Sequence, residues 1–355
     1  MSRRRRGPVA PGAVARPAAV LAGSAGLLVV AVLLGVGVGA VRIAPGDTIT
    51  IVLSHLGIAP GADVDSQQDA ILWAIRLPRV LLGVLVGGAL AVSGAALQGV
   101  FRNPLADPGI IGVSSGAAFG AVLAIVFGLG AEVRGGLQLA AFAAGLVTAF
   151  VVYALARYEG RTETVTLILT GVAVAAIAAA GVGFLIARAD DDQLRDIVFW
   201  SLGSLGGATW TLVAATLPFV ALGAAVCIAR ARKLDLMALG EREARYLGLE
   251  TERERVLLIG ATALATSAAV AAVGVVAFVG LVVPHLVRLA IGPAHRLLLP
   301  TSFVLGAGLL VLADLVARTA TAPVELPLGV VTALIGGPFF LWLIWRTRRA
   351  QGGWG

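Results

Sequence analysis

The chain has 355 residues, 59% of them hydrophobic and only 13% charged. Soluble domains carry about 25% charged residues, so this composition excludes a water-soluble globule and describes a polytopic membrane protein. The net charge of +7 and a pI near 10.8 would suit nucleic-acid binding. That partner is excluded because the basic residues lie in short loops between apolar runs, where they act as topology signals.

Residues 1–17 form a basic segment, with Arg3 to Arg6 and Arg16, expected in the cytoplasm. The apolar run from about Ala18 to Val41 is too long for a signal-peptide core and shows no convincing cleavage site, so it reads as the first transmembrane helix. A polar stretch follows over 42–75, containing Pro45, Pro60, Asp63, Asp65 and Asp69, with a short surface helix expected from Asp47 to Leu56.

Further spans are expected at about 77–101, 109–129, 135–156, 165–187, 208–229, 256–275, 277–291, 298–317 and 328–346, before a cytoplasmic tail at 347–355. Each approaches the roughly 20 apolar residues that cross a hydrocarbon core. The span at 277–291 is the least regular, because it holds Pro284, His285 and Arg288. With ten spans, 18–346 is one membrane domain and both termini share a side. Of the 27 Lys and Arg, 20 then fall on the N-terminal side; only Arg42, Arg76, Arg79, Arg134, Arg188, Arg195 and Arg318 fall on the other. That asymmetry places the termini in the cytoplasm.

Between the second and third spans, Asn103-Pro104 and Pro108-Gly109 interrupt the helix, since proline lacks an N–H and restricts the residue before it. A tight polar turn at a membrane surface is expected there. Small residues before it, including Gly83, Gly87, Gly88, Ala91 and Gly94, allow close helix approach. Ala89-Leu90-Ala91-Val92-Ser93 echoes Ala263-Leu264-Ala265-Thr266-Ser267, in spans of opposite direction, as an inverted repeat would.

The longest polar segment on the cytoplasmic side is 229–255. Leu236, Leu239, Ala244 and Leu247 recur at helical spacing opposite Glu241, Arg242, Arg245 and Glu252, and Gly240 and Gly248 divide the segment into two amphipathic helices. A docked partner or the lipid surface would cover the apolar face. No G-x-x-x-x-G-K-[ST] motif is present, so any ATP that drives the protein must bind elsewhere. His55, His285 and His295 show no metal-ligand spacing, and no constellation argues for catalysis in this chain. Arg76, Arg79 and Arg318 lie at the outer ends of their spans, either snorkelling to headgroups or forming a rim for an acidic partner. Asp314, four residues before Arg318, is placed to pair with it.

RLPR followed by GGALAVSGAALQGVFRNPLADPGIIGVSSGA, with its N-P-L-A-x-P-x-x-x-G core, closely resembles the FecCD-type permeases. These are membrane subunits of ABC importers for ferric siderophores, haem and cobalamin. The resemblance implies an all-α, ten-span fold of the type II ABC importer class, without an enzymatic role. Expected partners are a second permease subunit, two cytoplasmic ATPases carrying the ATP and magnesium, an extracytoplasmic substrate-binding protein and membrane lipid. It implies that LDLMALGEREARYLGL is the ATPase-coupling segment and that Arg76, Arg79 and Arg318 pair with glutamates of the binding protein. It further implies that 190–210, with Trp200, Gly203 and Trp210, narrows the outer vestibule. The Pro284-His285 region would shape the cytoplasmic entry, and Glu163, Thr164 and Val165 fall in the inner gate. Ferric siderophores are the commonest cargo of such proteins. An ion-coupled secondary transporter is the alternative, but apart from Asp314 the expected spans carry almost no carboxylates.

Overall fold

The computed structural model describes residues 12–39, 41, 43–58, 65–129, 133, 135–159 and 161–350. Arg3 to Arg6, Arg42, Pro60, Asp63, Arg134 and the tail beyond Ala350 lie outside them. The described residues are mostly helical, apart from one two-stranded hairpin, and each of the ten expected spans has a helix. They are α1 (Gly12–Gly37), α4 (Leu77–Val100), α5 (Val113–Val126), α6 (Gly136–Ala156), α7 (Thr164–Ile186), α9 (Trp210–Ala229), α12 (Thr251–Val273), α13 (Val279–Ile291), α14 (His295–Thr319) and α15 (Leu328–Ala350). Seven of the helices are long and apolar enough to cross a bilayer, and α5, α13 and α15 supply shorter apolar stretches.

The remaining helices lie in the connections. The expected outer surface helix is α2 (Pro45–His55), with Pro45 in its first turn. The helix leading into α4 starts eleven residues before the expected span. Asp65 caps α3 (Ser66–Ala70), accepting from the N–H groups of Gln67 and Gln68, and a π-helical turn over Ile71–Arg76 joins it to α4 without a break. At 1.5 Å per residue such a rod is about 50 Å long, so its first turns stand beyond the bilayer. Likewise α1 begins before residue 18 and α15 continues past Arg346, because helical hydrogen bonding need not stop where the apolar run stops.

The core is built on α4, which is buried along nearly its whole length between α14, α12 and α13. Its glycines permit this. A Cβ on Gly87 would overlap the carbonyl oxygen of Gly306 in α14, and one on Gly94 would overlap that of Gly280 in α13.

The turn after α4 differs from expectation. Asn103 and Pro104 do lie at the surface end, where the Asn103 side chain accepts from the N–H of Leu105 at 2.9 Å. Beyond them the chain turns back inside. The one-turn 3-10 helix over Pro108–Ile111 packs beside Gly280, and Gly280 in turn abuts Leu90. Leu90 is ten residues, about 15 Å, from the end of α4. Gly112 packs on Thr148, well inside α6. Residues 106–112 are therefore re-entrant, and α5 is short because it starts at this depth. Such backbone is tolerated at membrane depth because protein surrounds it. Asp107 meets that need: one oxygen accepts from the N–H of Gly109 at 2.8 Å, while the other faces Gly280 in the first turn of α13. An intramembrane carboxylate thus exists besides Asp314.

The second half repeats this upside down. After α12 the chain is extended over 274–278, and α13 starts deep inside the protein. A residue with positive φ precedes each short helix, Gly112 at 76° and Phe278 at 67°. The Ala-Leu-Ala echo lies in α4 and α12, the helices that precede the two short ones.

Candidate functional site

Two polar clusters interrupt the apolar body, one at each end of the helices. At the outer end, Arg76 and Arg79 are 3% and 7% exposed. The π turn carries Arg76 against the last turn of α1, where it donates Nη1 to the carbonyls of Val36 at 2.8 Å and Gly37 at 3.1 Å, and Nη2 to that of Val41. These carbonyls lack helical partners, and the guanidinium satisfies them. Arg79 holds two carboxylates. Its Nε and Nη2 reach Asp314 at 2.9–3.1 Å, and its Nη1 and Nη2 reach Glu325 at 2.9 Å each. Those hydrogen bonds hold Glu325 below the usual carboxylate range.

Arg318 donates Nη2 to the Gly35 carbonyl, while its Nε is 3.8 Å from Asp314, too long for a hydrogen bond. The expected Asp314–Arg318 pair is therefore secondary. Helical spacing identifies neighbours within α14 but not the arginine that α4 brings from 235 residues away. All three guanidiniums are engaged by partners within the chain, and the most open side chain of the cluster is that of Glu325, 45% exposed.

A second outer contact involves histidine. His55 Nε2 lies 2.8 Å from Asp69, and its ring stacks on Trp73 with centroids 3.9 Å apart. Trp210 donates its indole N–H to the Trp73 carbonyl at 2.8 Å, tying the 45–76 segment to α9. The acidic-aromatic segment forms α8 (Asp191–Leu202), started by a capping box between Asp190 and Gln193. Trp200 packs inward against Val270 and Ala271. Gly203 ends α8 with φ 72°, and its carbonyl accepts from the N–H of Leu328 at 2.9 Å.

At the opposite end the expected coupling segment folds as α10 (Ala231–Ala238) and α11 (Glu241–Tyr246). Gly240 and Gly248 adopt φ values of 128° and 81°, backbone that L-residues avoid, so the two glycines are the punctuation expected of them. The apolar residues do not share one face. Ala244 is fully buried with Leu234 and Met237, and Leu236 is half-buried, whereas Leu239 and Leu247 are 61% and 60% exposed. Helical periodicity fails here because the turn at Gly240 reorients the second helix. One face fixes the segment to the body and the other stands free.

That fixation is polar as well. Asp235 of α10 accepts from the backbone N–H of His295 at 2.9 Å and contacts its ring at 2.8 Å, holding the first turn of α14. Glu241 of α11 pairs with Arg245 and lies 3.5 Å from Arg255. Arg255 also contacts Glu252 at 2.8 Å and donates to the Thr162 carbonyl. Thr162 and Tyr153 both donate to Glu252 at 2.6 Å. Thr162 belongs to a small hairpin of β1 (Arg157–Tyr158) and β2 (Arg161–Thr162) that leads directly into Glu163, Thr164 and Val165. Glu163 is the N-cap position of α7, and Thr164 lines a crevice with Glu241 and Arg255. The structure thus brings the expected gate residues beside the coupling segment. Glu252, expected on the polar face of the segment, makes the connection together with Arg255, Tyr153 and Asp235, which were not singled out from sequence. Pro284 is buried within α13, and the His285 ring meets Phe339 of α15 edge-on at 6.5 Å.

A polytopic helical bundle in which two short helices start inside the protein has the architecture of a membrane permease. The family model of the FecCD transport family matches residues 27–346, and the chain belongs to that family. The cobalamin import system permease protein BtuC of Halobacterium salinarum is 49% identical over 282 residues, covering 79% of this chain and 75% of that protein. The hemin transport system permease protein HmuU of Yersinia pestis is 47% identical over 298 residues, covering 81% and 88%. A solved inward-facing metal-chelate type ABC transporter superposes with a TM-score of 0.81 at 33% identity, covering 93% of this chain and 99% of that one. Membership in this family excludes the ion-coupled alternative.

Proposed function

We propose that this permease, in the bacterial cytoplasmic membrane with both termini inside, imports one large metal chelate by alternating access. It works as a dimer with two ATPases that carry ATP and magnesium, and an extracytoplasmic binding protein delivers the ligand. The observation that carries this reading is the cytoplasmic face. Leu239, Leu247 and the 90% exposed Tyr246 present an apolar surface, and the other side of the same segment is bonded to the gate hairpin and to α14. Motion of a docked ATPase would therefore reach the helices through Glu241, Arg255 and Asp235. At the outer end, the Arg76, Arg79 and Arg318 cluster is the docking point for carboxylates of the binding protein.

The cargo is a ferric siderophore, haem or cobalamin. Ferric siderophores are favoured by family frequency alone, whereas the relatives named above favour a tetrapyrrole. The test is ATP-dependent uptake by the reconstituted importer of labelled cobalamin, haem and a ferric hydroxamate. Uptake of cobalamin or haem alone supports the tetrapyrrole reading, uptake of the ferric hydroxamate alone reinstates the siderophore, and uptake of none overturns all three.

A further inference from the structure

The outer cluster is unbalanced. Among the described residues, the cluster holds three guanidiniums and two carboxylates: Arg79 and Arg318 lie against Asp314 and Glu325, while Arg76 is bonded only to backbone carbonyls. The side chain of Arg318 is nine-tenths buried, and its Nε has no hydrogen-bond partner. Buried positive charge in excess favours an added anion. The two carboxylates also differ. The Asp314 side chain is 5% exposed and fixed in α14, whereas that of Glu325 is 45% exposed and sits on the connection between α14 and α15. Glu325 is therefore the carboxylate that returns to water at less desolvation cost, whereas Asp314 is enclosed with Arg79.

That connection is a junction. The N–H of Leu326 donates to the Ala317 carbonyl at 2.8 Å, and that of Leu328 to Gly203 at the end of α8. Gly329 lies against the carbonyls of Leu202 and Val275, so closely that a Cβ there would be 2.5 and 3.0 Å from their oxygens. Movement of Glu325 would bear on α8, on the extended 274–278 segment and on the start of α15.

We propose that Glu325 is an internal occupant of the Arg79 fork, displaced when a carboxylate of the binding protein docks, and that its release loosens the α14–α15 junction. This rests on the docking reading of the arginines given above. Docking then exchanges one carboxylate for another, so Arg79 is never left uncompensated, and the added anion offsets the surplus charge at Arg318. The exchange converts an outer contact into a change at the helix ends that border the vestibule.

The test uses the full importer in nanodiscs with the binding protein that co-purifies with it. Glu325→Gln removes the internal competitor. If Glu325 holds the fork about nine-tenths of the time, its removal tightens docking about tenfold. A spin label at Val324→Cys reports the junction; Val324 is 69% exposed and the native Cys227 is buried. Label mobility should rise on docking in the otherwise wild-type importer and should already be high in Glu325→Gln without the binding protein. Glu325→Asp, which keeps the charge, should restore near-wild-type docking if Glu325→Gln assembles poorly. If Arg79→Gln weakens docking but neither Glu325 variant alters affinity or label mobility, the exchange is wrong and the docking reading survives. If Arg79→Gln leaves docking and its salt dependence unchanged, or no binding protein associates, the docking reading and the exchange both fall.

Discussion

Arg255 at the base of α12 donates to the backbone carbonyl of Thr162 at 2.6 Å, joining the coupling segment to the strand that precedes the gate residues. The same guanidinium lies 2.8 Å from Glu252 and 3.5 Å from Glu241, and it is 5% exposed. A rigid planar fork suits this three-way contact, which a lysine could not reproduce.

Replacing Arg255 with Gln leaves Glu252 without its cation, while Glu241 keeps Arg245. Breaking a buried pair from one side costs about 3–5 kcal/mol, and the partial exposure of Glu252 puts this case at the lower end. We expect the reconstituted variant to hydrolyse ATP while uptake per ATP falls at least tenfold, with Arg255→Lys only partly restored. Tight coupling in both variants would remove Arg255 from the transmission path.

The second expectation concerns helix packing. Gly94→Val places side-chain atoms where the Gly280 carbonyl already sits. Overpacking a tight core costs about 1–3 kcal/mol, and backbone cannot yield as a side chain can. The variant should therefore show a lower thermal midpoint in detergent, whereas Gly23→Ala, with nothing within 4 Å, should match the wild type. Equal midpoints for the two would contradict the packing of α4 on α13.

Gly240 is the hinge of the coupling face. Its φ of 128° is far from the −65° that proline imposes, so Gly240→Pro should displace α11 while leaving membrane insertion intact. Co-purification of the ATPase should be lost. The double change Leu239→Asp and Leu247→Asp, at positions already exposed, should lose it as well without lowering the thermal midpoint. Retained ATPase in both would place the energy contact elsewhere.

Single cysteines at Glu243 and Tyr246 should react with an impermeant thiol reagent only after permeabilisation, while those at Asp65 and Asp192 should react in intact spheroplasts. Cys227 is buried and stays silent. A reversed pattern at two of these sites would be incompatible with cytoplasmic termini.

The apolar helices, a surface helix near Asp47 to Leu56, the glycines that punctuate the 229–255 segment and the family were legible in the linear sequence. Each depends on local chemistry: apolar length, proline and glycine, and a motif of consecutive residues. Depth was not legible. The Asn103 to Gly109 turn reads as surface because it is polar, yet Asp107 lies beside Gly280 deep in the bundle; only packing of two glycine-lined helices reveals that. Ion pairing was not legible either. Asp314 has a neighbour four residues away in Arg318, but α4 supplies a better fork in Arg79, and Glu325 joins it from another connection. Likewise Leu239 and Ala244 share a helical period but lie on opposite sides of the segment once Gly240 turns the chain. The sequence determined which segments are helical and membrane-spanning, because burial of apolar surface and backbone hydrogen bonding act within each segment. Tertiary structure alone decided which charges meet and how deep they lie, because those depend on contacts between residues as many as 283 positions apart.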